Sequence, residues 1–282
     1  MTLVAFCCGK GSPGVSTTAC IAGAVWPASR RTVVAECDPS GNDLAARFGL
    51  SPRIGMTSLV LAHRRSQHTE ATFDPHVQSL PGGLEVLAGP LNPDAASSLD
   101  RELGAVGLAI FPEAIDLLVD CGRILTAAPG QQEILKAADH VVVVARPDTA
   151  GLAHALWTID VVRDLATGTS SVVIVGSGRF RVGEIEQAFQ AKSIAVLPFD
   201  EGSAAMVCGS PGRTKRFARS DLVVSARRLV DGLLDQSNLD DDHEACPALT
   251  DDDSRMAALS TAFSSTFSLE VEALGEQDPG FS

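Results

Sequence analysis

The sequence predicts an α/β protein: a doubly wound, mostly parallel sheet with helices on both faces, then an acidic disordered linker and a short C-terminal helix. Three observations lead there. Seven short apolar runs punctuate the chain up to residue 199, and most are continuously apolar rather than alternating, as strands covered on both faces require. Helix-length segments alternate with them. Hydrophobic residues make up 45% of the chain, with 11 Phe, two Trp and no Tyr, which leaves the core to Val, Leu, Ala and Ile.

Each element follows in order. "LVAFCC" (3–8) is the first strand, and "KGSPGVSTT" (10–18) turns it into a helix over 16–26. "TVVAEC" (32–37) is the second strand; it runs out at an acidic pair, Glu36 and Asp38, before the turn-forming Pro39-Ser40-Gly41-Asn42. "LEVLAG" (84–89) and "IDLLVDC" (115–121) are the third and fourth, the latter ending on Asp120. A helix over 131–138, the strand "HVVVVAR" (140–146) and a helix over 149–165 come next. The series closes with "SVVIVG" (171–176), a helix over 182–191, "IAVLPF" (194–199) and a helix over 220–235.

Charge divides the 282 residues unevenly. The net charge is −13, yet residues 235–282 hold 12 acids against one base, Arg255, so the body carries only −2. We therefore divide the chain into a body (1–234), an acidic linker (235–254) and a tail (255–282). The linker has acidic runs, Pro247 and little apolar content, the composition of disorder. In the segment 254–274, Met256, Leu259, Phe263, Phe267, Val271 and Leu274 recur every three or four residues, the stripe of an amphipathic helix. That helix packs either on its own body or on a partner. Its acidic polar face argues against a membrane surface.

No apolar stretch approaches the roughly 18 residues of a membrane span. The seven cysteines (7, 8, 20, 37, 121, 208 and 246) form no CxxC pair, and with no signal peptide to read, a reduced cytoplasmic setting is expected. The histidines lack ligand spacing, and no base is assigned to Cys121, so neither a transition-metal site nor cysteine catalysis is expected.

The chemistry lies at strand ends. A phosphate loop needs glycines that let backbone N–H groups wrap the phosphates, a hydroxyl for Mg²⁺ and a lysine for the β- and γ-phosphates. Gly11, Gly14 and Ser16 fit; Val15 stands where the lysine belongs. Asp38 and Asp120, each at the end of an apolar strand, would flank the ligand crevice of a parallel sheet.

Together, "KGSPGVSTT", "VVAECDPSGND", "IDLLVDCG" and "VLPFDEGSAAMVCGSPG" (196–212) resemble the deviant Walker-A ATPases of the ParA/MinD family, over residues 1–234 but not the tail. The resemblance implies a P-loop fold that binds ATP or ADP with Mg²⁺ and forms a dimer with itself or a related ATPase. Lys10 would be the signature lysine that reaches the partner's phosphates, and Asp38 would position the attacking water. Gly11, Ser12, Gly14, Val15, Ser16 and Thr17 would form the loop, with Ser16 and Asp120 holding Mg²⁺ and Thr17 touching the α-phosphate. Three positions depart from the family pattern: Val15 for lysine, Ser12 for glycine, and Cys121-Gly122 for Thr-Pro.

Losing a charged hydrogen bond costs about 1.5–3 kcal/mol, which weakens triphosphate binding roughly 10- to 100-fold. Hydrolysis suffers more, since phosphoryl transfer leans on such cations. The expectation is a positioning, partitioning or assembly factor, a dimer switch or pseudo-ATPase whose output is a partner contact through the tail. The alternatives are a working ATPase that uses Lys10 across a dimer, and a scaffold without nucleotide. Residue by residue, plainer readings stand beside these: a solvated Lys10, Ser16 and Thr17 as helix caps, Asp38 as an Asx-turn and Asp120 as a strand-end acid. Arg213, Lys215, Arg216 and Arg219, in "GRTKRFARS", resemble the basic residues with which such proteins bind DNA without sequence preference, or form an ordinary solvated face.

Overall fold

The computed structural model describes residues 1–65, 73–125, 127–190, 194–207 and 217–237. Its strands are β1 (Leu3–Cys8), β2 (Thr32–Glu36), β3 (Gln78–Ser79), β4 (Glu85–Leu87), β5 (Asp116–Arg123), β6 (His140–Ala145), β7 (Thr169–Val175) and β8 (Ile194–Leu197). They form one sheet in the order β3-β4-β2-β5-β1-β6-β7-β8, parallel except for the pairing of β3 with β4. The chain moves out from β1 to β2 on one side and later fills β6, β7 and β8 on the other. The C-terminal end of β1 is therefore the switch point, where an open sheet of this kind leaves its crevice.

Nine helices pack on the sheet among the described residues: α1 (Val15–Val25), α2 (Leu44–Phe48), α3 (Met56–His63), α4 (Pro93–Val106), α5 (Pro129–Ala137), α6 (Thr149–Leu165), α7 (Val182–Phe189), α8 (Glu201–Val207) and α9 (Asp221–Ser237). The period of two in a strand sorts β1 between two cores. Leu3, Ala5 and Cys7 face one core, shared with α3 to α7; Val4, Phe6 and Cys8 face the other, shared with α1 and α9. Both faces are covered, and that is why the strands read as unbroken apolar runs.

The seven expected strands are present, with ends shifted by a few residues. The fourth runs on past Asp120 to Arg123. The helix over 149–165 lies where its pattern puts it. The pattern did not suggest α2, α3, α4, α8 or β3. The largest omission, α4, carries its own start signal: Asn92 accepts hydrogen bonds from the Asp94 and Ala95 N–H groups, and Pro93 stands at the first helical position. The linker beyond Ser237, the tail helix, and Arg213, Lys215 and Arg216 lie outside the described residues.

At the edge opposite the crevice, Asp116 ties three elements together. It accepts bonds from the Thr2 N–H (2.8 Å), the Trp26 indole (2.8 Å) and Arg30 (2.5 and 2.7 Å).

Candidate functional site

The turn after β1 builds the centre of the site. Gly11 and Gly14 have φ of 74° and 105°, a left-handed backbone that favours glycine, and Gly14 caps α1. The loop bends so that the first N–H groups of α1 face the crevice, where an anion would sit. Ser16 and Thr17 are half-buried on the first turn. Val15 turns the other way: it is buried, packed in the α1/α9 core. The valine therefore supplies no group to the crevice.

Asp120 is buried, and its carboxylate accepts hydrogen bonds from the Ser16 hydroxyl and from the Gly122 N–H at 2.9 Å. Burial pushes it up to about 6, although both donors and the charge of Arg47 pull it down. The pairing of β1 with β5 slips here: Phe6 faces Asp120 but Cys7 faces Gly122, so Cys121 is the extra residue of a bulge. The slip carries the strand on, and Arg123 donates its N–H to Asp38.

Asp38 is held from several directions. Its backbone N–H donates to Asn42 Oδ1 (3.1 Å), its carbonyl accepts from Asn42 Nδ2 (3.2 Å), and its carboxylate accepts from the Ser40 N–H (2.7 Å). The carboxylate lies directly over Gly122, where a Cβ would collide with it. Gly122 also has φ of 58°. The glycine after Asp120–Cys121 thus makes room for Asp38, and the two positions form one arrangement. Burial raises the Asp38 carboxyl above its ordinary value, against the donors from Ser40 and Arg123.

Glu36 lies beneath them, buried, accepting the Asp43 and Leu44 N–H groups at 2.9 Å and the Gly89 N–H at 3.1 Å. Burial pushes it up to about 7, with Asp120 adding to the rise. Its role is to fasten the ends of β2 and β4 around the Asp38 turn. The sequence marks Glu36 as acidic at a strand end, but nothing in it shows three backbone donors converging. Asn42 likewise reads as a plain turn former.

Four cysteines cluster at the same strand ends. Cys7, Cys8, Cys37 and Cys121 are all buried and free. Burial pushes the Cys8 thiol up to about 12 and raises the other three well above the ordinary thiol range. Thiols so placed are poor nucleophiles and poor metal ligands. No group of three or more His, Cys, Asp or Glu poised for a metal ion occurs among the described residues.

The structure brings Gly11, Gly14, Ser16, Thr17, Asp38 and Asp120 to one crevice. Ser12 is exposed on the loop. Lys10 is exposed, and with its loop neighbours Gly9, Gly11, Ser12 and Pro13 it lines a cavity of about 210 Å³ bordered by Arg146, Asp148 and His154. Arg219 is exposed just before α9, as are Arg227 and Arg228 on it. Mg²⁺ prefers hard oxygen ligands, and the bonded Ser16–Asp120 pair supplies two such atoms. A phosphate would find backbone N–H groups and no loop cation. Both groups fit the site as built, the phosphate with less charge compensation.

No protein-family model matches the sequence, and no curated protein matches it. Solved structures do resemble it. A ParA family ATPase from Chlorobium tepidum is 16% identical, with 81% of this chain and 98% of that chain covered and a TM-score of 0.63. The septum site-determining protein MinD from Pyrococcus horikoshii, complexed with Mg-ADP, is 15% identical over 85% of this chain and 98% of that one, with a TM-score of 0.67. An ATP complex of a McdA variant from Cyanothece is 16% identical over 88% and 99%, with a TM-score of 0.64. At this level of identity the likeness is one of architecture, and the chain has the P-loop NTPase-like fold of the ParA and MinD ATPases.

Proposed function

We propose that the protein is a ParA/MinD-like positioning, partitioning or assembly factor, acting in the cytoplasm as a nucleotide-linked dimer switch or pseudo-ATPase. It binds ATP or ADP with Mg²⁺ weakly and hydrolyses ATP slowly or not at all. One observation carries this reading: Val15 is buried in the α1/α9 core, while Ser16, Asp38 and Asp120 remain assembled at the crevice. The parts that hold Mg²⁺ and orient water are present, and the loop cation is missing. The partner subunit is a second copy or a related ATPase, and the tail helix carries the contact with a protein partner. In support, the similar structures include complexes with Mg-ADP and ATP and a MinC:MinD complex. No described helix is long and apolar enough to cross a membrane.

A second reading rests on the placement of Lys10. It is exposed and makes no salt bridge among the described residues, so it is free to reach a neighbouring subunit's phosphates. In that reading the dimer restores a cation to each site and hydrolyses ATP. A nucleotide-free scaffold leaves the bonded Ser16–Asp120 pair without a use. Non-specific DNA binding by Arg213, Lys215, Arg216 and Arg219 would add a second output, with affinity falling steeply as salt rises.

Calorimetry with Mg-ATP and Mg-ADP tests the first reading. ATP-preferring binding in the high micromolar to millimolar range is expected, with phosphate release near background. No heat with either nucleotide would leave only the scaffold. Phosphate release that rises with protein concentration and vanishes in Lys10→Ala would favour the second reading.

A further inference from the structure

The exposed side of α6 runs from the phosphate loop at its N-terminal end towards α5 at its other end. At its N-terminal end lies the cavity lined by Lys10, Arg146 and His154. The single acid there, Asp148, is already committed as the cap of α6, accepting the Gly151 N–H at 2.8 Å. Neither Lys10 nor Arg146 makes a salt bridge among the described residues. At the other end a second cavity of about 270 Å³ opens between α5 and α6, lined largely by apolar groups including Leu125, Leu135, Val161 and Leu165, with Asp164. Between the two stands Trp157, 48% exposed. Trp157, Val161 and Leu165, four residues apart, form one apolar stripe down the helix.

We propose that the chain's own tail covers this surface. The acidic runs at Asp240–Asp242 and Asp251–Asp253 lie against Lys10 and Arg146, and the apolar stripe of 254–274 lies along α6 over Trp157 into the second cavity. Charge and order both match: the tail is acidic first and apolar next, as the surface is cationic first and apolar next. Lengths match as well, since 21 helical residues span about 31 Å and the 17 of α6 span about 25 Å. The 16 residues from 238 to 253 extend to about 55 Å, ample to pass around a body whose radius of gyration is about 17 Å. A second copy of the body, at a net charge of −2, offers no such acidic complement. The tail in this position shields Lys10, so a partner that takes the tail also frees the loop. Nucleotide binding is not required for any of this.

Trp157 reports on it in the full-length chain. The only other tryptophan, Trp26, is 7% exposed and bonded to Asp116, so acrylamide quenching responds to Trp157. The comparison is the full chain against the same chain with Leu259→Ser, Phe263→Ser and Phe267→Ser, changes that leave the body intact. We expect quenching to rise roughly two- to threefold in the variant as a covered indole becomes accessible. Raising salt from about 0.05 M to about 0.5 M should release part of the same shielding in the full chain. Equal quenching in the two chains overturns the proposal. So does shielding that fades on dilution along with a dimer in sedimentation, which would make a second copy the cover. Insensitivity to salt overturns the pairing with Lys10 and Arg146.

Discussion

Val15 and Gly122 mark where this site departs from a complete phosphate site, and they differ in kind. Val15 replaces a cation with a core side chain. A Lys at 15 would leave the core for the crevice, so Val15→Lys should tighten Mg-ATP binding about 10- to 100-fold and cost about 1–3 kcal/mol of stability. Calorimetry and urea unfolding read the two effects separately; unchanged affinity would mean the crevice is closed for another reason. Gly122 is fixed by the carboxylate that lies on it. Gly122→Ala should displace Asp38 and destabilise the fold by about 1–3 kcal/mol. Glu36 gives the site a pH dependence. Its pKa in the folded protein, about 7, lies above its ordinary 4.5, so the stability it contributes is complete below pH 4.5 and is lost as pH rises through 7. The loss amounts to at most about 3 kcal/mol, and Asp120, raised to about 6, adds to it over a lower range. Glu36→Gln should make the decline of stability between about pH 5 and pH 7 shallower. An unchanged slope in urea midpoints would assign the effect elsewhere.

Among the elements, legibility follows burial. The central strands read clearly because β1, β5 and β6 each carry a continuous apolar run, buried on both faces, with their polar residues near the ends. Short surface helices such as α2 and α3 have too few turns to set up a period. α4 is long enough to be seen, but its outer face and the loop before it dilute the stripe of Ala96, Leu99 and Leu103. Its start was legible in the pair Asn92-Pro93. Asn92→Ala removes the oxygen that accepts both the Asp94 and Ala95 N–H groups and should lower stability by about 1 kcal/mol, read as a lower thermal midpoint. The site divides in the same way. The strand ends announced Asp38 and Asp120, since a carboxylate closing an apolar run is visible in the chain. Glu36 as an anchor, Asn42 as a clamp and Gly122 as the space for Asp38 depend on contacts between segments far apart in sequence.

For the whole molecule, a nearly neutral body joined to a strongly acidic end means that its solution behaviour is set by about the last sixth of the chain. The body's crevice, meanwhile, carries indicators of its own. Cys7, Cys8, Cys37 and Cys121 sit at the ends of adjacent strands, sealed from solvent and held in the unreactive protonated form. A thiol reagent can modify them only while those strand ends are transiently parted, so the labelling rate becomes a clock for that opening. A ligand that bridges the loop and Asp120 holds the ends together and slows the clock in proportion to its occupancy. The unmodified protein could thus be screened for whatever fills its crevice by timing the loss of these four thiols.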